Sequence, residues 1–174
     1  MNTIAAYLHA KGKLVLANAS SGIAAVILAG GRTAHARFNV PLKILPDTDC
    51  AAIARSDAGK TIIASDMILW DEIPMISKTV MASVDRLLQN LMSNTTFFCG
   101  KVMVFSGDFC QCLPIIVRQG RAVITSEVMR KCPWWNICKQ LRLTENKRLK
   151  RHGVNKANTS LAEYLMELGN VTIL

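Results

Sequence analysis

Acids are scarce in this sequence: 12 Asp and Glu stand against 21 Lys and Arg, a formal net charge of +9. The six cysteines contain no C-x-x-C pair, and His9, His35 and His152 lie at no ligand-like spacing from them. No zinc-type ligand set is indicated, and reduced thiols in an intracellular protein are expected. Charge interrupts every apolar stretch well before the ~18 residues that a membrane span needs, so no membrane partner is expected. "KGKLVLANASSGIAAVILAGG" (11–31) does not read as a secretory leader, because Asn18, Ser20 and Ser21 break it and ten residues precede it. No period of repetition and no low-complexity tract appears, which removes solenoids and linker-like chains.

What remains is a chain of 174 residues, 51% of them hydrophobic, enough for one domain that buries on the order of 70% of its unfolded surface. The basic excess is concentrated. From Arg118 to Arg151 ten Lys and Arg face two acids, Glu127 and Glu145. Such a segment draws phosphate-bearing partners, nucleic acid or nucleotide, although it is also what a solvated basic surface looks like.

Apolar runs alternate with helical patterns. "KLVLA" (13–17), "MILWD" (67–71), "VMVFSG" (102–107) and "QLRLTE" (140–145) read as strands, the first three apolar enough to be covered on both faces. Segments 20–30, 77–92, 126–131 and 161–169 read as helices, with Ser77 as an N-cap and Gly169 as a stop. Residues 39–66, with Pro41, Pro46 and Gly59, read as loop with short helical pieces. This alternation predicts an α/β fold: a doubly wound, mostly parallel sheet whose ligands bind beyond the carboxyl ends of its strands.

Four stretches bear on chemistry. Asp71 and Glu72 follow "MILW" at a predicted carboxyl end, where one acid can hold Mg²⁺ and the next can orient or deprotonate a water. Alone, they also suit a solvated strand end. "VMVFSGDFCQCLP" (102–114) ends a second strand in Gly107 and Asp108 and carries Gln111, whose amide can donate to a terminal phosphate or merely stabilise a turn. "LRLTENKR" (141–148) brings Arg148 to the end of a third; its planar fork can stabilise charge on a phosphoryl group, or lie exposed. "ANASSGIAAVILAGGRTAHARF" (17–38) places Ser20, Ser21 and Gly22 at a helix start, with Thr33, His35 and Arg37 beyond, residues suited to backbone phosphates or to ordinary capping and packing.

Together, in this order, the four stretches resemble one family, the Pif-type (petite integration frequency) DNA helicases of superfamily one, especially the branch found in Helitron transposons. The resemblance runs from "TIAAYLHAKGKLVLANASSGIAA" through "GGRTAHARFNVPL", "WDEIPM" and "SGDFCQCLPI" to "LTENKRL" and "LAEYLMELGN". It implies a RecA-like motor domain and ATP-dependent, Mg²⁺-requiring unwinding of duplex DNA, 5′ to 3′. Repair, recombination, telomere maintenance or transposition are the processes implied, in the nucleus.

By the same resemblance, Ser20, Ser21, Gly22, Thr33 and His35 look like single-strand DNA contacts, Asp71 the Mg²⁺ ligand, Glu72 the water-activating acid, Gln111 the γ-phosphate sensor and Arg148 an arginine finger. DNA, single-stranded and at duplex junctions, is the implied partner, with ATP as substrate. Two departures stand out: Cys110 where the family commonly has a basic residue, and Lys147 where an apolar one precedes the arginine.

The family's phosphate-binding loop, G-x-x-x-x-G-K-[ST], is not in these 174 residues. "DAGKT" (57–61) does not supply it, because Ala54 stands where the first glycine belongs, and Lys60 reads as a loop lysine. Residues 1–174 are therefore expected to be a partial first RecA-like domain lacking the phosphate-loop strand, with a neighbouring strand left unpaired, and without the second motor domain. ATP affinity should be poor. Two other readings are a non-catalytic single-stranded DNA-binding remnant and, disfavoured by the resemblance, a metal-dependent nuclease using Asp71, Glu72 and Asp108.

Overall fold

The computed structural model describes residues 1–50, 54–144, 147, 160, 161, 164 and 165. The chain divides into two compact units, Met1–Asn136 and Ile137–Leu174. Ten helices and strands lie in the first: α1 (Asn2–His9), β1 (Val15–Ala19), α2 (Gly22–Ile27), β2 (Arg32–Thr33), α3 (Ala34–Phe38), α4 (Asp57–Ala64), β3 (Met67–Asp71), α5 (Lys78–Met92), β4 (Val102–Phe105) and α6 (Arg121–Ser126). The four strands form one parallel sheet in the order β2-β1-β3-β4.

The apolar strands pair as their composition requires. All five residues of β1 and the middle three of β3 are buried, so both faces of the sheet are covered. Ala5 of α1 packs with Val15 and Leu69, and Ala25 of α2 with Ala17 and Ala19, which closes one face. The alternate residues Leu16, Asn18, Ile68 and Trp70 point to the other. There the Trp70 ring stacks on Phe38, centroids 5.6 Å apart. Asp66 fixes the register from below, its carboxylate accepting from Leu14 N–H at 2.8 Å and from Lys13 Nζ at 3.0 Å. Those two donors hold its pKa below the usual 3.8.

α5 follows its pattern closely. Val80, Met81, Val84, Leu87 and Leu88 form its buried stripe, and Ser77 caps it, accepting from Val80 N–H at 3.2 Å. β4 closes one edge of the sheet, with Val102 exposed and no further strand beside it among the described residues. Phe105, at its end, stacks on Trp134 at 5.0 Å.

Elsewhere the structure departs from the sequence reading. "DAGKT" is helix, not loop: Ser56 caps α4 through Gly59 N–H at 3.1 Å, and Lys60 pairs with Asp57 one turn back at 3.7 Å. The helix expected at 126–131 begins earlier, as α6, and resumes as a 3₁₀ turn at Met129–Lys131. Helix 20–30 is confined to α2, since Leu28 turns extended. Residues 140–144 form no strand; Leu141 and Leu143 are exposed, so no apolar face holds that segment to a sheet. Glu145 and most of 161–169 lie outside the described residues. No disulfide joins any of the six cysteines. Among the described residues no helix is long and apolar enough to cross a membrane.

Candidate functional site

The carboxyl edge of β3 is held from both sides. On the β4 side, Ser106 extends the ladder: its N–H donates to Trp70 O at 2.9 Å, its carbonyl accepts from Ile73 N–H at 3.0 Å, and its hydroxyl donates to the Asp71 carboxylate. Gly107, φ 153°, lets this turn close. A Cβ there would stand 2.4 Å from Pro74 Cδ and 3.1 Å from Ile73 N. On the β1 side, Ser20 N–H and hydroxyl both donate to the Asp71 carbonyl, at 3.0 and 3.3 Å.

Asp71 is half-buried, and its Oδ1 also accepts from the Glu72 N–H at 3.0 Å. Glu72 is left-handed, φ 53° and ψ 44°, a conformation that costs a non-glycine residue ~1–2 kcal/mol. The sharp turn it makes carries the chain from β3 into the 3₁₀ turn Ile73–Met75. Replacing Glu72 by glycine is therefore expected to stabilise the fold by about 1 kcal/mol while deleting the carboxylate. Glu72→Gln, keeping the strain, should leave stability unchanged; urea melts of the two variants check this.

Gln111 is exposed. It lies in a turn organised by Asp108, whose carboxylate accepts from Cys110 N–H at 2.9 Å and Gln111 Nε2 at 3.1 Å. Those bonds hold the Asp108 pKa down. The turn is next to the acid pair: burial raises the Cys112 thiol pKa, and the Glu72 and Asp108 carboxylates raise it further. Ile115 N–H also donates to Met75 O at 3.2 Å. Asp71, Glu72 and Gln111 thus share one edge, while Arg148 lies outside the described residues.

The segment beyond β1 uses its hydroxyls internally. Ser21 caps α2 through Ala24 N–H at 3.2 Å, and Thr33 caps α3 through Ala36 N–H at 3.3 Å. Ser20 accepts from Trp70 Nε1 at 3.1 Å as well as bonding Asp71. Gly22 is exposed, and His35 half-buried. Arg37 turns inward: Nε donates to Asn18 Oδ1 at 3.0 Å, and a terminal nitrogen to Gly30 O at 3.1 Å and Ala17 O at 3.4 Å. Burial, with Arg32 nearby, lowers its pKa. Sequence reasoning missed Ser106, Asn18 and Trp70 as parts of this edge. Asn18 alone carried a signal, a polar residue inside an apolar strand.

One carboxylate with a free oxygen suits Mg²⁺, which takes one or two protein carboxylates and fills its remaining positions with water and substrate phosphate. Asp71 Oδ2, which accepts no hydrogen bond from the described residues, meets that description. Among the described residues no three His, Cys, Asp or Glu gather to hold a metal alone.

The parallel sheet with its flanking helices, carrying Asp71 and Glu72 at its carboxyl edge, matches solved structures of the RecA-like class of fold. A PIF1-like helicase family model matches residues 1–173, so the chain belongs to the PIF1-like helicase family. Among solved structures, the chain is similar to Pif1 at forked duplex DNA, where two helicases coordinate: 28% identity, TM-score 0.59, covering 72% of this chain and 30% of that one. It is also similar to unliganded Bacteroides Pif1 (23%, TM-score 0.62, 92% and 41%) and to Pif1 from Candida albicans (21%, 0.55, 79% and 30%). The chain spans less than half the length of each of these. No curated protein matches it.

Proposed function

We propose that the chain is part of the first motor domain of an ATP-dependent 5′-to-3′ DNA helicase acting on genomic DNA in the nucleus, in repair, recombination, telomere maintenance or transposition. The observation that carries this is the Asp71 carboxylate held between Ser106 and the Glu72 amide, on the edge that also bears Gln111. Asp71 would hold Mg²⁺, which when bound neutralises charge on the terminal phosphates of ATP. Glu72 takes the proton of the attacking water. Gln111, released from Asp108, donates its amide to the γ-phosphate, and Arg148 offsets charge on the transferring group.

Without a phosphate-binding loop among its 174 residues, the chain alone should hydrolyse no ATP. A second reading, a non-catalytic DNA-binding remnant, draws on the exposed Arg118, Arg121, Arg130 and Lys131. Purified chain is expected to bind oligothymidylate with an affinity that falls steeply with salt. Mg²⁺ binding to the chain that Asp71→Asn abolishes supports the motor segment, whereas Mg²⁺ binding that Asp71→Asn leaves unchanged, or none at all, supports the remnant. No DNA binding at all overturns both. DNA-stimulated turnover abolished by Glu72→Gln would overturn the expected inactivity of the chain alone.

A further inference from the structure

Trp70 is fully buried, and a buried indole N–H requires an acceptor. Its acceptor is the Ser20 hydroxyl at 3.1 Å, and the same hydroxyl donates to the carbonyl of the next residue, Asp71. A hydroxyl has one proton, so Ser20 cannot donate to a DNA phosphate while it holds this bond. The residue that the sequence suggests as a DNA contact bonds the main chain of Asp71 instead.

Two paths meet at Trp70. One runs through Ser20, which is covalently joined to Ser21 and the start of α2. The other runs through α3, which carries His35 and follows Thr33: its last residue, Phe38, stacks on the Trp70 ring, and Arg37 ties the helix to Asn18 beside Trp70 in the sheet. Any shift of either segment therefore bears on the residue that precedes Asp71. Asp71 itself has little slack, since Ser106 and the Glu72 amide hold its carboxylate and Ser20 its carbonyl.

We propose that Ser20 is a positioning residue, its Trp70–Ser20–Asp71 hydrogen bonds linking single-stranded DNA on the Ser21, Thr33 and His35 segments to the setting of the Asp71 carboxylate and so to its affinity for Mg²⁺. The inference rests on the functional reading above. Coupling of this kind is reciprocal: if DNA changes Mg²⁺ affinity, Mg²⁺ changes DNA affinity by the same factor. A hydrogen bond that served only to satisfy a buried indole would affect stability and leave that factor alone.

The test measures oligothymidylate affinity of the full chain by fluorescence anisotropy, with and without Mg²⁺. Asp71→Asn reports the part of the Mg²⁺ effect due to competition for DNA phosphates, and that part is divided out. The remaining factor should be about fivefold in the parent chain, within the ordinary range of coupling between sites. It should fall to about one in Ser20→Ala and in Trp70→Phe, which keeps the Phe38 stack but lacks the N–H, and survive in Ser20→Thr, which keeps the hydroxyl. A parent chain with no residual factor, or an unchanged factor in Ser20→Ala, overturns the positioning role while leaving the functional reading intact. A parent chain that binds no oligothymidylate overturns the functional reading and the coupling with it.

Discussion

Gly107→Ala should lower the melting temperature by about 10 °C, corresponding to about 3 kcal/mol in a domain of this size. The added methyl would stand 2.4 Å from Pro74 Cδ and 3.1 Å from Ile73 N, and neither neighbour is the loose end of a flexible side chain. At φ 153° the backbone also disfavours any Cβ. Relief must come from separating the turn after β4 from the turn after β3. That motion stretches the bond from Ile73 N–H to Ser106 O and draws the Ser106 hydroxyl from Asp71. Pro74→Ala removes the ring carbon nearest the clash, so the double variant should recover part of the loss, by about 1 kcal/mol or more beyond additivity. Differential scanning calorimetry of the four proteins closes the cycle. Equal losses in the presence and absence of Pro74 would place the strain elsewhere.

The same close approach explains how far the sequence could be read. β1 and β3 are legible because a strand covered on both faces is a continuous apolar run, β4 because its run is as apolar although, contrary to expectation, none of its residues is buried, and α5 because five buried apolar residues recur at helical spacing behind a serine cap. β2 is two residues long, and α2 and α3 are six and five, too short for any period to show. Residues 140–144 mislead for the opposite reason. Leu141 and Leu143 alternate with polar residues as a half-buried strand would, but a strand is made by its partner, and partners are non-local. The acid pair announces itself by charge at a strand end. Ser106 does not, because its role comes from the β3–β4 register that sets it beside Asp71, which no local pattern records.

Asn18→Leu is the companion case in the core, with an expected cost of about 3 kcal/mol. Asn18 is fully buried; its oxygen accepts from Arg37 Nε at 3.0 Å, and its amide donates to Leu69 O at 3.3 Å. Leucine fills the volume but offers Arg37 no acceptor. The guanidinium, already disfavoured by burial, then keeps only the Gly30 and Ala17 carbonyls. Arg37→Met should cost less by itself, and Asn18→Leu/Arg37→Met should lie well above the sum of the two, because an apolar pair leaves no charge unpaired. Urea denaturation of the four proteins decides between this and a purely steric account, in which the double variant would be additive. Arg37 also anchors α3 to β1, so on the functional reading Asn18→Leu should weaken oligothymidylate binding, and the apolar pair should restore stability without restoring that affinity in full. Full recovery of both would mean that packing alone places the Thr33–His35 segment, with no contribution from the polar tie.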